Sequence, residues 1–255
     1  MVNPINFGAF LVLFFLVIHY YYDRRKFSFV IYYILTVLVF ILVIGSLSRL
    51  ALLAMILVLL FLYFYKSSIL KLSFFAFFIF LSIVYLINFV EIDNVMSRIE
   101  TIFVLTTYTE NARVNNWVFA ISQLDLYQYL WGRGIGASSP DSSIVAVTSA
   151  LPVENAFVSV FLQYGLIGLI MIFLIIIRFL YVGYSLIGIN SAVGKFVIGF
   201  ILFFISTSLG NDFFRNSPFV FYFWFFYVYF EIVYARRENV FSCVNSSRKR
   251  SLKLN

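Results

Sequence analysis

Long apolar stretches separated by short polar signals run along this chain. A helix needs about 17–25 mostly apolar residues to cross a bilayer. Seven stretches meet this requirement, near residues 5–22, 27–45, 48–65, 72–90, 154–177, 195–210 and 217–234. The pattern predicts four transmembrane helices within residues 1–90, a long polar loop at 91–153, three transmembrane helices within 154–235 and a basic tail at 236–255.

The composition indicates that lipid is the solvent. Of 255 residues, 63% are hydrophobic and 11% are charged, and the mean hydropathy is +1.00. Soluble domains are about 25% charged, so a water-soluble globule is excluded. Only 4 Pro and 12 Gly interrupt the chain, which favours helices over barrel strands. We predict an all-α fold, a multipass transmembrane helical bundle with about seven spans.

The formal charge of +7 is distributed unevenly. Thirteen of the 18 cationic residues fall in one alternating set of connections and in the tail, namely Arg24, Arg25, Lys26, Lys66, Lys71, Arg178, Lys195, Arg236, Arg237, Arg248, Lys249, Arg250 and Lys253. The other set holds Arg49, Arg98, Arg113, Arg133 and Arg215. Because cations are retained on the cytoplasmic side, the C-terminus is predicted to be cytoplasmic and the 91–153 loop to face outward. The charge is thus a topology signal, and no nucleic-acid partner is expected.

Residues 111–131 of the outer loop predict an amphipathic helix along the membrane surface. Its apolar stripe consists of Val114, Val118, Ile121, Leu124 and Tyr127. Arg113 and Trp117 are four residues apart and therefore neighbours on this helix. The guanidinium either anchors the helix at the surface or reaches an anionic group at the lipid interface.

A glycine-rich motif follows, with the sequence Gly132-Arg133-Gly134-Ile135-Gly136-Ala137. It formally matches the dinucleotide fingerprint, but that fingerprint has meaning only between a strand and a helix of a βαβ unit. A nucleotide site is therefore rejected. The glycines predict either a plain tight turn or a backbone that brings amide groups close to a ligand beside Arg133.

The fifth span is predicted to begin at Pro152-Val153-Glu154-Asn155, with Glu154 in its first turn at the outer mouth of the membrane. An acid in a first turn stabilises a helix without any further role. A carboxylate in this position also suits a general base for a hydroxyl. Gly165 and Gly168, deeper in the span, predict close helix packing.

Three further charged residues lie toward the outer side. Arg49 runs directly into an apolar stretch, so it either snorkels to the surface or has an anionic partner inside the bundle. Asp212 and Arg215 occupy the last outer turn, where they either form a surface ion pair or line the same mouth.

Metal chemistry has little support in the sequence. Glu91 and Asp93 have a spacing that can hold a divalent cation, although solvated carboxylates are the commoner case. His19 is the only histidine, which excludes zinc chemistry and disfavours a Ser-His-Asp triad. No metal and no cofactor are expected.

Taken in order, these features resemble the C-terminal half of the O-antigen ligase and polymerase superfamily, whose multispanning members handle polyprenyl-linked glycans. The resemblance covers roughly Ser46 to Leu180. It is carried by Ser46, Ser48, Arg49, Arg113, Trp117, Gly132-Arg133-Gly134-Ile135-Gly136, Asn155 and Gln163-Tyr164-Gly165-Leu166-Ile167-Gly168. It implies a bundle of about ten to twelve or more spans, which suggests that N-terminal spans are either absent from this chain or dispensable.

The resemblance also implies an inverting, metal-independent glycosyl transfer, in which a sugar hydroxyl attacks the anomeric carbon of a polyprenyl-pyrophosphate-linked glycan. Arg49 and Arg113 match the arginines that hold the pyrophosphate, a task suited to planar, permanently charged guanidiniums. Ligases that attach glycan to lipid A core carry His before the Asn, where this chain has Glu154. A polymerase is therefore favoured over a ligase.

The predicted function is polymerisation of lipid-linked oligosaccharide repeat units, for O-antigen or for capsular or exopolysaccharide, on the outer face of the cytoplasmic membrane. Glu154 is the predicted base, and the predicted substrate-binding residues are Arg49, Arg113, Arg133, Asn155, Asp212 and Arg215. Expected partners besides the lipid-linked glycan are membrane lipids, a flippase and a chain-length regulator. The alternatives are a transporter or flippase, which should show internal repeats or broken spans, and a truncated, inactive remnant.

Overall fold

The computed structural model describes residues 4–46, 48–64, 108–135, 137, 155–210, 212 and 219–251. For Arg49 and Arg113 it describes the backbone alone. The predicted span at 72–90, the Glu91–Asp93 pair, Glu154 and Arg215 lie outside the described residues.

Eight helices make up almost all of the described part of the chain, which contains no strand. They are α1 (Pro4–Asp23), α2 (Phe29–Gly45), α3 (Arg49–Phe64), α4 (Tyr108–Ser122), α5 (Leu126–Trp131), α6 (Ala156–Ile189), α7 (Ser191–Ser208) and α8 (Phe219–Ser251). The predicted all-α class is confirmed.

Four of these helices, α1, α6, α7 and α8, are long and apolar enough to cross a membrane. The apolar helices α2 and α3 are shorter. Six of the seven predicted apolar stretches are thus helical, as expected for a multipass bundle. The total number of spans stays a prediction, because residues 72–90 are not described.

The core of the bundle is built around α7, which packs against α1, α3 and α6. Most of its residues are buried, including Phe200, Phe203 and Phe204. Ser206 and Thr207 lie in the same buried helix, and their hydroxyls donate to main-chain carbonyls one turn earlier at 2.7 Å. Their polar groups are therefore satisfied inside the helix, as burial in an apolar core requires.

The two ends of the bundle differ in chemistry. At one end the side chain of Asn155, before α6, donates to the carbonyl of Leu209, after α7. We call this end, with the start of α3 and residues 209–212, the mouth end. At the opposite end, the Lys195 ammonium lies 2.7 Å from the Asp23 carboxylate, beside the turn at 24–26. We call this end, with Lys195 and the cations of the 24–26 turn, the basic end. The two contacts join the helix ends that the predicted topology places on a common side.

Two cations that were predicted to lie in a connection lie inside helices. The helix α6 continues through Arg178 to Ile189, and α7 begins at Ser191, before Lys195. Arg178 forms a bidentate ion pair with Glu231 of α8, with N–O distances of 2.8 and 3.0 Å. The prediction was wrong because a cation with a carboxylate partner and neighbouring aromatic rings does not have to end a helix.

The predicted amphipathic helix at 111–131 is two helices, α4 and α5, with a break at residues 123–125. Its buried face also differs from the predicted stripe, because Val118 is 60% exposed and Tyr127 is 71% exposed. Ile121 and Leu124 of the predicted stripe do lie on the buried face, and Trp117, which was not part of that stripe, packs with them against α6. The predicted stripe assumed one continuous helix on a flat surface, whereas the buried face is set by the protein surface beneath it.

Candidate functional site

The α6 helix is broken at Gly165, whose φ and ψ angles are 67° and −163°. In an unbroken helix the carbonyls of Leu162 and Gln163 would accept from amides four residues further on. Here they accept from the amides of Arg133, at 2.9 Å, and Gly134, at 3.0 Å. The glycine-rich loop thus supplies the hydrogen bonds that the break removes from the helix.

Glycine is required on both sides of this contact. Gly132 and Gly165 both have positive φ and extended ψ, a backbone region that only glycine occupies readily. A Cβ atom on Gly132 would overlap the carbonyl of Gln163, and one on Gly165 would lie 2.6 Å from the amide nitrogen of Trp131. We call this backbone contact, between residues 132–134 and 162–165, the glycine clasp.

The clasp supports the tight-turn interpretation of the described part of the glycine-rich motif. The amides of Arg133 and Gly134 are bonded to helix carbonyls and so are not presented to a ligand. Residues 132–134 of the motif thus form a turn that brings two backbones together. Gly165 permits close packing as predicted, although its neighbour is a loop rather than a helix, and the break in α6 was not predicted.

The clasp also fixes the side chain of Arg133, which is partly buried. Its Nε donates to Oε1 of Gln128 at 3.1 Å, and the same oxygen accepts from the amide of Asp125 at 3.1 Å. Gln128 therefore ties the guanidinium to the start of α5. In the described part of the chain the terminal guanidinium nitrogens make no hydrogen bond, so they are available to an anion or to sugar hydroxyls.

A small apolar cluster holds α4 beside α6. Leu124 and Leu162 are its buried members, at 6% and 4% exposure. The partly buried residues packed around them are Trp117, Ala120, Ile121, Val158 and Phe161. This contact attaches the helix that carries Arg113 to the segment between the clasp and the mouth end.

Asn155 joins two elements at the mouth end. It is the N-cap of α6, with Oδ1 accepting from the amides of Phe157 at 2.9 Å and Val158 at 3.1 Å. Its Nδ2 donates to the carbonyl of Leu209 at 2.9 Å, and the residue is 6% exposed. The side-chain amide is therefore already engaged within the protein, which indicates a positioning role.

The observed N-cap corrects the predicted start of this helix. The helix begins at Ala156, and its first turn contains no acid. Glu154 precedes the cap and so cannot stabilise the helix from within its first turn. The prediction was wrong because the side-chain oxygen of Asn155 caps the helix, so no acid is needed in the first turn.

A polar stripe connects the mouth end with the clasp and was missed by the sequence analysis. Asn155, Ser159 and Gln163 are spaced four residues apart and so share one face of α6. Nε2 of Gln163 donates to Oγ of Ser159 at 3.0 Å, and Ser159 is 1% exposed. The spacing of these polar residues within an apolar run was the signal available in the sequence.

Asp212 lies three residues after Leu209 and is 5% exposed. Asp212 is therefore buried rather than solvent-exposed, and its predicted partner Arg215 lies outside the described residues. Gly210 packs against the side chain of Leu50, the residue after Arg49. The start of α3, the start of α6 and the buried carboxylate therefore share the mouth end.

The predicted site residues divide into two groups in the structure. Asn155, Asp212 and the backbone of Arg49 lie at the mouth end. Arg133 lies at the clasp, which an eight-residue helical rise places about 12 Å along α6 from Asn155. Within the described residues, no cluster of three or more His, Cys, Asp or Glu side chains is arranged to hold a metal ion.

Residues 34–173 match the O-antigen ligase family. The matched region is more than half of the chain and contains the start of α3, the clasp and Asn155. This chain belongs to the O-antigen ligase family. No curated protein matches it significantly.

Membership of the O-antigen ligase family indicates the general class of protein to which this structure belongs. The apolar helices and the family match indicate an integral membrane protein. The family indicates a membrane enzyme of the O-antigen ligase and polymerase type, with a lipid-linked oligosaccharide as substrate. The clasp and the Asn155 cap both lie inside the region that matches this family.

Asn155→Asp should separate the helix cap made by Oδ1 from the hydrogen bond donated by Nδ2. Aspartate keeps the cap for α6 but places an acceptor against the carbonyl of Leu209, so we expect both a lower Tm and a lower rate of glycan transfer in the folded fraction. Asn190→Ala is the matched control, because Asn190 caps α7 at the basic end. It should lower the free energy of unfolding by about 0.5–2 kcal/mol, and therefore the Tm. The specific activity of the folded fraction should be unchanged. Equal activity of Asn155→Asp and wild type would remove the Leu209 bond from the account.

Proposed function

We propose that this protein polymerises polyprenyl-pyrophosphate-linked oligosaccharide repeat units, and that the chemistry takes place at the mouth end. The observation that carries the proposal is the meeting of Asn155, the buried Asp212 and the start of α3 at one end of the bundle. Two of these three elements lie inside the region that matches the O-antigen ligase family.

The charge distribution supports a lipid-linked donor. The basic end carries the 24–26 turn, and the positive-inside rule assigns it to the cytoplasm, so the mouth end faces outward. Nucleotide sugars and ATP are not available outside the cytoplasmic membrane. A transferase working there needs a donor that arrives already activated, and a pyrophosphate linkage provides that activation.

Arg49 and Arg113 are the proposed pyrophosphate ligands. Planar guanidiniums can donate two parallel hydrogen bonds to phosphate oxygens, and they keep their charge as the leaving group becomes more negative. A buried carboxylate is costly unless it is paired. We therefore propose Asp212 as the anionic partner that orients Arg49, since Gly210 already packs against the neighbouring Leu50.

Glu154 is the proposed general base. It directly precedes Asn155, whose two-sided hydrogen bonding fixes the chain at this point. A carboxylate there can take the proton of the attacking sugar hydroxyl as the bond to the anomeric carbon forms and the pyrophosphate leaves. Arg133 and Arg215 are proposed to bind the glycan. The terminal nitrogens of Arg133 are suited to sugar hydroxyls at a distance from the reacting bond.

A transporter of the same glycans is the rival function. The α6 helix is broken at Gly165, and broken spans are a feature of transporters. In this chain the carbonyls released by the break are bonded to the Gly132–Gly134 loop and so do not line an open path for a substrate. The family match also favours an enzyme.

The proposal is tested by giving the purified protein, in lipid nanodiscs, polyprenyl-pyrophosphate-linked repeat units and no other substrate. A polymerase should produce a ladder of lengthened glycans on gels. A ligase should give product only when a separate acceptor is added, and a flippase should give none under either condition. Either of the last two results would overturn the proposed polymerisation.

Glu154→Gln should reduce the rate of chain extension by about 10²–10⁴-fold, because glutamine cannot accept the proton of the attacking hydroxyl. Glu154→His is the informative companion, since imidazole restores a base of the kind found in the related ligases. We expect it to recover part of the rate. Unchanged turnover of the glutamine variant would show that Glu154 has no role in proton transfer.

A further inference from the structure

A groove opens at the basic end, between α1, α7 and α8. Its volume is about 370 Å³, and its walls are mostly aliphatic and aromatic, with Val17, Val193 and Phe230 among them. The groove lies at the opposite end of the bundle from Asn155 and Asp212. It therefore does not belong to the site proposed above.

The floor of the groove is aromatic and apolar. Phe196 of α7 makes edge-to-face contacts with Tyr20 of α1, at a centroid distance of 5.9 Å, and with Phe226 of α8, at 5.4 Å. This ring keeps α1 and α8 apart and closes the groove from below. An apolar floor between transmembrane helices suits a hydrocarbon chain rather than a polar ligand.

The rim of the groove carries a cation that has no carboxylate partner among the described residues. Arg24 lines it and lies over the ring of Tyr20, at 5.5 Å from the ring centroid. The neighbouring acid, Asp23, is engaged by Lys195 at 2.7 Å, and no other described carboxylate pairs with Arg24. Arg25 and Lys26 follow directly and are exposed. The rim is therefore positively charged beside an apolar cavity.

We propose that this groove binds an anionic phospholipid from the leaflet on the side of the 24–26 turn. One acyl chain lies between α1 and α8 against Phe196, and the phosphate binds the guanidinium of Arg24. The positive rim matches an anionic headgroup, and basic pockets between transmembrane helices are suited to such headgroups. The proposal is independent of the polymerase function, because it uses none of the residues at the mouth end.

The test is a lipid titration of the delipidated protein in neutral detergent, with phosphatidylglycerol and phosphatidylcholine as the two probes. We expect phosphatidylglycerol to raise the Tm of the wild type more than phosphatidylcholine does. Arg24→Gln should weaken phosphatidylglycerol binding by about fivefold or more. Arg25→Gln removes the same charge from a residue outside the groove and should retain most of the affinity.

A second variant tests the cavity itself. Val193→Trp should fill the groove and weaken the binding of both lipids without changing the charge of the rim. Equal stabilisation by the two lipids, or equal losses in Arg24→Gln and Arg25→Gln, would overturn the headgroup site. Unchanged lipid binding in a folded Val193→Trp protein would overturn the acyl-chain site. If Val193→Trp does not fold, the two arginine variants still decide the headgroup site.

Discussion

Replacing Arg49 or Arg113 with alanine should lower the rate of chain extension by about 10²–10³-fold, the effect of losing a donor that stabilises developing negative charge. The leaving pyrophosphate gains charge in the transition state, so the lost interaction should reduce kcat more than it raises KM. The rate is measured with purified variants and lipid-linked repeat units. Membrane insertion and expression should match those of the wild type.

Two controls distinguish the effect of losing the guanidinium group from the effect of losing a positive charge. Arg49→Lys keeps the charge but loses the planar donor fork, so its rate should fall between those of alanine and wild type. Arg236→Ala removes an exposed cation from α8, beyond the basic end, and should leave the rate unchanged. Glycan ladders of normal length from Arg49→Ala or Arg113→Ala would remove that residue from the mechanism.

Gly165→Ala should destabilise the protein and abolish most of its activity. An alanine there is strained by about 1–3 kcal/mol in the glycine-only backbone region, and its Cβ would also collide with the carbonyl of Leu130. Either the loop leaves the helix or the helix straightens. In both cases Arg133 loses its fixed position. Thermal unfolding in detergent and the polymerisation assay measure the two effects.

Gly188→Ala is the matched control, because it lies in the same helix with open space where its Cβ would be. It should be neutral or slightly stabilising, since alanine favours helix over glycine by about 1 kcal/mol. Gly132→Ala should cause the same loss of stability and activity that we expect for Gly165→Ala, because the two glycines take part in one backbone contact. A Gly165→Ala protein with wild-type Tm and ladder length would contradict the clasp as a functional element.

The apolar helices could be predicted from the sequence, because a helix satisfies its backbone hydrogen bonds internally and therefore needs only an apolar run to cross a membrane. Positions such as Arg178 could not be read in this way. Its charge resembled the end of a helix, but the helix continues past it, and Glu231 on another helix pairs with it. A single residue cannot reveal that partner, and the same limit applies to the end of α4, where a protein surface rather than a flat lipid surface selects the buried face.

The elements of the candidate site could be recognised in the sequence as separate motifs. The contacts between motifs that are far apart in the sequence could not be predicted. The glycine-rich loop and Gly165 each permit a turn or a close approach, but neither names the other as its partner. Asn155 likewise looked like a neighbour of a base, whereas its amide contacts a carbonyl 54 residues away. Tertiary contacts of this kind decide the backbone at Gly165, where local preference alone favours a continuous apolar helix.

The location of the chemistry is tested most directly by photocrosslinking with a donor analogue that carries a photoreactive group beside its pyrophosphate. Mass spectrometry of the digested protein then identifies the labelled segments. We predict labels around Arg49, Asn155 and Asp212, with competition by unlabelled donor. Labels confined to the basic end, near Arg24 and Lys195, would contradict a transfer site at the mouth end.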